Sequence, residues 1–251
     1  MPMSLNSRSA VILAAIIKEY INTGHPVGSK EIAEAYNLGV SPATIRSTMS
    51  RLEKDGFLTQ PHTSAGRVPT DKGYKLFVAE LMRRFELSER ERKHLREELL
   101  TLKRKHEELG RSISKLLSES TSQAAFALLP DQSGTSGAAN LIGQESKPDE
   151  AREAVSFLEE IEDHSHELMT KYFGDQPEVH IGREIKLAGT SDYTLIVSGV
   201  KMPNGEKGLI GIVGPKRMKY DKNLSVVEYI AKLLSTGLGA ALIATFVAHN
   251  F

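Results

Sequence analysis

Apolar positions lay out the first elements of the chain. Ile12, Ile16, Ile17, Tyr20 and Ile21, with Leu13 beside them, recur at helical spacing and predict a helix over residues 8–22. Gly24 and Pro26 end it. Ile32, Ala33 and Tyr36 share one side of a second short helix, Ser29 to Tyr36. "NLGV" reads as a turn, with Gly39 where a positive φ is easy. Ser41 then caps a third helix. Pro42 takes its first position, where a missing N–H costs nothing. Ile45, Met49 and Leu52 fall on the inner face of this helix and Gly56 stops it. "FLTQ" (57–60) and "VPT" (68–70) predict two short strands around the polar loop "PHTSAGR", and Leu76 to Phe85 is helical again.

The pattern then changes. Ser88 and Glu91 form a capping box, and a long charged helix is expected from there to about Ser122. Leu95, Leu102, Leu109 and Leu116 are spaced by seven, and Leu99 and Ile113 fill two alternating core positions. Arg92 and His106 take the other two, so the heptad is imperfect. The expectation is a dimerising coiled coil; the alternative is a helix packed on its own chain. Pro130 to Pro148, rich in Gly, Ser, Gln and Asn, reads as a linker. A helix over Ala151 to Phe173 and the β-like runs "EVHIG", "YTLIVSGVK" and "LIGIVG" follow. Asn204–Gly205 signals a hairpin between the last two, and Val226 to Leu234 returns to helix.

These elements divide the chain into four parts: a head over 1–85, a long helix over 86–129, a linker over 130–150 and a small α/β domain over 151–251. The fold class is α+β. In the head, the order helix, helix, Gly turn, helix, strand, loop, strand predicts a winged helix-turn-helix. The outer face of its third helix carries Ala43, Arg46, Ser47, Ser50, Arg51 and Lys54, small, polar and basic, with no acid among them. A helix that enters the major groove wants small residues for close approach, and Arg, Ser and Thr for base edges and phosphates. Its contacts come mainly from its N-terminal half, here Ser41, Thr44, Arg46 and Ser47. In the loop, His62, Thr63, Ser64 and Arg67 are placed to reach phosphates or a minor groove, and Gly66 permits close approach. Ser29 and Lys30, opening the second helix, are candidate phosphate anchors.

Composition narrows the alternatives. Lys+Arg and Asp+Glu are 32 each, so overall charge selects no partner. Charge is local: over 41–75, Arg46, Arg51, Lys54, Arg67, Lys72 and Lys75 outnumber Glu53, Asp55 and Asp71. With no cysteine, disulfides, cysteine-ligated zinc and thiol catalysis are excluded, which suits a reducing cytoplasm. Leu233 to Phe251 is nearly uncharged but holds Ser235, Thr236, Gly237 and Gly239, so a buried helix is expected rather than a membrane span. In "DHSHE" (163–167), His164 and His166 point apart on a helix and do not chelate one metal. "GSK" (28–30) lacks the rest of a phosphate-binding loop. "GPKRMKY" (214–220) reads as a turn, or as an inter-domain or partner contact. No catalytic constellation is present, and no cofactor or metal is expected.

Residues 20–78 carry a further signal. The strings "PVGSK", "SPATIR" and "QPHTSAGRVPT" resemble the DNA-binding domain of the HrcA family of heat-inducible transcription repressors. "GLIGIVGPKRMKYDKNLSVVEYIAKLLS" (208–235) is similar to that family's C-terminal signature. The resemblance implies a repressor of chaperone genes. It implies binding as a homodimer to double-stranded DNA at an inverted-repeat operator of the CIRCE type, release on heat stress, and dependence on a GroEL-type chaperonin. It also implies a GAF-like domain interrupted by an inserted dimerising domain. Between Pro130 and Asn140 there is room only for a short linker, so this chain is expected to be a shortened form in which the heptad helix holds the dimer. The alternative function is a winged-helix protein-interaction module without operator specificity.

Overall fold

The computed structural model describes residues 5–62, 65–83, 85–102, 109–130, 132–141, 148–185, 192–202 and 205–236. The chain forms two compact units. The first comprises residues 1–83 together with 216–221; the second takes 84–215 and the chain from 222 onward.

The first unit opens with α1 (Ser7–Thr23), capped by Asn6, whose Oδ1 accepts the Ser9 N–H at 2.9 Å. Its apolar stripe, Ile12, Leu13, Ile16 and Ile17, is fully buried. Gly24 closes the helix at φ 71°, the left-handed conformation a C-cap favours. Next come α2 (Ser29–Ala35) and α3 (Pro42–Lys54), the latter capped by Ser41, whose Oγ accepts the Thr44 N–H at 3.2 Å. Ile32, Ile45, Met49 and Leu52 complete the core. Strands β1 (Leu58–Thr59) and β2 (Val68–Pro69) pair antiparallel, Leu58 opposite Pro69 and Thr59 opposite Val68. Val27 adds a bridge on the far side of β2, exchanging N–H···O bonds of 2.9 and 2.8 Å with Arg67. A short α4 (Asp71–Leu76) continues as a single π-helical turn, Phe77–Leu81, where a helix from Leu76 to Phe85 was expected.

Residues 216–221, from the "GPKRMKY" string expected as a turn or as an inter-domain or partner contact, group with this first unit. Lys216 Nζ pairs with Asp71 Oδ1, and the Tyr220 ring lies 5.8 Å from that of Tyr74. The Tyr220 hydroxyl donates to the Lys216 carbonyl at 2.6 Å, which holds the segment in one turn.

The second unit is built on a five-stranded antiparallel sheet, in the order β4 (Ser133–Ser136), β3 (Ala124–Leu128), β7 (Lys207–Pro215), β6 (Tyr193–Lys201), β5 (Glu178–Ile181). The β6–β7 hairpin is the longest pairing, Tyr193 opposite Pro215 through Lys201 opposite Lys207. Gly205 sits in its turn at φ 86°. Asn204, the other half of that turn signal, lies outside the described residues. Along β3 every residue is buried, because side chains alternate between two covered faces. Ala124, Phe126 and Leu128 meet Phe157, Leu158 and Ile161 of α7 (Pro148–Asp163) and Leu168 and Tyr172 of α8 (Ser165–Tyr172). Helix α6 (Leu109–Thr121) packs on β3 and β4. The helix expected over 151–173 is thus two helices, parted at His164.

Two expectations are corrected. The single heptad helix is a pair: α5 (Glu89–Leu102) and α6 pack against each other, and Leu95, Leu99, Ile113 and Leu116 are buried inside their own unit. Leu95 and Leu116 line one cavity together with Val226 of α9 (Tyr220–Ser235), and the Tyr229 hydroxyl donates to the Arg92 carbonyl at 3.3 Å. The seam is covered by the chain itself, so these positions present no free coiled-coil face. Leu109 is half-buried; the Leu102 side chain and residues 103–108, which include His106, lie outside the described residues. The second correction is that the linker over 130–150 contributes a sheet strand, β4, and that β3 falls inside 86–129, the part expected to be the long helix. The apolar C-terminal stretch is described only to Thr236, the rest lying outside the described residues. Among the described residues no helix is long and apolar enough to cross a membrane.

Candidate nucleic-acid interface

Helix α3 turns Ile45, Met49 and Leu52 inward and so fixes which residues face out. Ser41, Ala43, Arg46, Ser47, Arg51 and Lys54 are exposed; Thr44 and Ser50 are half-buried. Several hydroxyls are committed within the helix. Ser41 caps it and shares a 3.0 Å hydrogen bond with Thr44 Oγ1, and Ser50 Oγ donates to the Arg46 carbonyl at 3.1 Å. Arg46, Ser47 and Lys54 have no side-chain partner among the described residues. They form a bare polar and cationic face.

Arg51 is used differently. Its Nη2 donates to Ser9 Oγ, a fully buried hydroxyl in the first turn of α1. Beside that tie a groove of about 750 Å³ runs between the start of α1 and α3, lined by Asn6, Ser7 and Arg8 on one side and by Thr44, Ser47 and Arg51 on the other. Nothing in the periodicity singled out Asn6–Arg8, since these residues precede Ile12, where the apolar stripe starts, and are brought to α3 only by the packing of α1.

In the ribbon, Arg67 turns inward. Its Nε bonds Glu53 Oε2 of α3 at 3.0 Å, and its side chain is only 16% exposed. The expected phosphate contact is therefore an internal brace between ribbon and helix. Gly66 also permits a close approach, but to the chain itself: a Cβ there would run into the Val27 carbonyl. His62 is exposed at the loop, its carbonyl accepting the Ala65 N–H at 2.9 Å. Thr63 and Ser64 lie outside the described residues. Ser29 is buried, and at the start of α2 the Gly28 N–H already donates to the Glu31 carboxylate at 3.1 Å. A carboxylate there competes with any phosphate; Lys30 remains exposed.

Residues 75–224 match the family model described as the HrcA protein C-terminal domain. The chain belongs to the HrcA family. Among its relatives, the heat-inducible transcription repressor HrcA of Moorella thermoacetica is 48% identical over 130 residues, which is 52% of this chain and 38% of that protein. The repressor of the same name from Leptospira biflexa is 41% identical over 131 residues, again 52% of this chain and 38% of the relative. The HrcA match thus spans well under half the length of these curated relatives. A crystal structure described as that of a hypothetical protein superposes with a TM-score of 0.71 at 22% identity, covering 92% of this chain and 96% of that one. That likeness concerns the fold alone.

Proposed function

We propose that this HrcA-family chain is a sequence-specific DNA-binding transcription repressor whose reading head is the first unit. The observation that carries the proposal is the bare face of α3, where Arg46, Ser47 and Lys54 have no side-chain partner among the described residues, beside a short antiparallel ribbon. In this reading α1 to α3 with β1 and β2 make a winged helix-turn-helix. Helix α3 enters the major groove and Arg46 reads a base edge, with Ala43 allowing close approach. The loop at His62 lies against the neighbouring backbone.

The family relatives, named as heat-inducible repressors, support control of heat-shock genes. The expected operator is the CIRCE-type inverted repeat, and two half-sites call for two heads at fixed separation. The protein therefore acts as a dimer that heat releases. Because Leu95, Leu99, Ile113 and Leu116 are spent inside their own unit, the dimer contact lies on another surface. A GroEL-type chaperonin is the proposed partner that keeps the repressor active.

The test is binding to a labelled inverted repeat, a single half-site and a scrambled duplex across a salt series. Preference for the full repeat, with affinity falling steeply as salt rises, is the expected result, since phosphate contacts release counterions. Salt-insensitive or absent binding to every duplex would favour a protein-docking role for the head.

A further inference from the structure

We infer that the start of α1 is a third DNA-contacting element, in which Arg8 takes one backbone phosphate beside the recognition helix; the inference rests on the DNA-binding reading above. The groove between α1 and α3 carries it. Arg8 and Arg51 are its two charged lining residues, the rest are polar or small, and none is acidic. Arg8 is exposed and has no ion pair among the described residues.

Geometry assigns the partner. An α-helix with its side chains is about 10–12 Å across, and the major groove is about 12 Å wide. A helix seated there fills the groove, and packed helices lie about 8–10 Å apart, axis to axis. A segment that lies beside a seated helix, rather than behind it, thus lies over a sugar-phosphate strand and not over base edges. Helix α1 packs on α3, and its first turn lies beside Thr44 and Ser47. Those residues are in the N-terminal half of α3, the half that contacts bases. A strand offers phosphate oxygens at that position, and a guanidinium is suited to them in shape and charge.

The two arginines have separate tasks. Arg51 is held by the buried Ser9 hydroxyl, so it fixes the spacing of α1 and α3 as a positioning residue. Arg8, exposed and without an ion pair among the described residues, makes the contact.

The experiment measures wild type, Arg8→Ala, Arg8→Lys and Arg51→Ala on the inverted repeat and the scrambled duplex over a salt series, with thermal melts of each variant. Arg8→Ala is expected to bind both duplexes about three- to fivefold more weakly, the scale of one exposed ion pair. It flattens the slope of log affinity against log salt by about 0.9 for each phosphate lost. Sequence preference and melting temperature stay as in wild type, and Arg8→Lys keeps the wild-type slope. Arg51→Ala lowers the melting temperature and leaves the slope unchanged. If wild type binds DNA and Arg8→Ala keeps the full slope, the phosphate contact is overturned while the repressor reading stands. A flattened slope in Arg51→Ala would overturn the division of tasks. A wild type that binds neither duplex overturns both this inference and the reading beneath it.

Discussion

In the first unit, α3 buries one stripe and leaves Arg46, Ser47 and Lys54 without partners among the described residues. In the second, α5 and α6 pack against each other with Leu95, Leu99 and Leu116 buried, and the sheet beneath α6 is covered on both faces. All three helices announce an apolar stripe in the sequence. They differ in what the opposite face has left to do. The bare polar face of α3 supports the proposed DNA contact, while the apolar faces of α5 and α6 are matched within their own unit and act as scaffold in that reading. A heptad pattern alone did not distinguish a seam between two chains from a seam within one.

That contrast can be broken from the scaffold side first. Phe126→Ala removes a ring that is 1% exposed, at the centre of the second unit's core. It should cost about 3–5 kcal/mol, read as a lowered denaturant midpoint for that unit. Retention of the wild-type midpoint would mean that this core is not the scaffold described. In the first unit, Gly66→Ala forces a Cβ against the Val27 carbonyl and should cost about 1–3 kcal/mol through a backbone shift in the ribbon. A thermal melt equal to wild type would show that the ribbon does not need this approach.

Arg46→Ala sharpens the other side of the comparison. It should leave stability unchanged and reduce discrimination between operator and scrambled duplex by about 1–3 kcal/mol, if Arg46 reads a base. Competition titrations measure this, and undiminished discrimination would remove Arg46 from the reading face. Arg67→Ala is expected to do the reverse. With its guanidinium bound to Glu53, its loss should cost up to about 1 kcal/mol of stability and leave the salt slope of DNA binding intact.

The smallest effect is at the start of α5. The Ser88 hydroxyl and amide donate to Glu91 Oε2 at 2.7 and 2.9 Å, and these bonds hold the Glu91 carboxyl below its usual value. A lowered carboxylate value means that the stabilisation is present above the ordinary carboxylate range. It fades as pH falls through the lowered value. Ser88→Ala should cost about 1 kcal/mol at neutral pH. The difference between Ser88→Ala and wild type should shrink in acid; a difference independent of pH would separate the cap from the carboxylate.

Helical spacing, caps and punctuation were enough to place α1, α2 and α3, because each is amphipathic and bounded by Gly24, Gly39, Ser41 or Gly56. The β6–β7 hairpin was readable for the same reason: apolar runs flank a Gly turn. The exposed face of α3 followed directly from its buried one. Strand β3 was not readable. "AAFAL" is, apart from Phe126, built from residues at home in helices, and it is a strand because β4 and β7 supply its hydrogen bonds. The packing of α5 against α6, the inward turn of Arg67 and the tie from Arg51 to Ser9 are likewise decisions of tertiary packing. The sequence by itself determined which faces of the local helices are apolar, since that depends on a periodicity internal to each segment. Only the tertiary structure decided which of those faces the chain would cover with itself, because the partners that cover them come from distant residues.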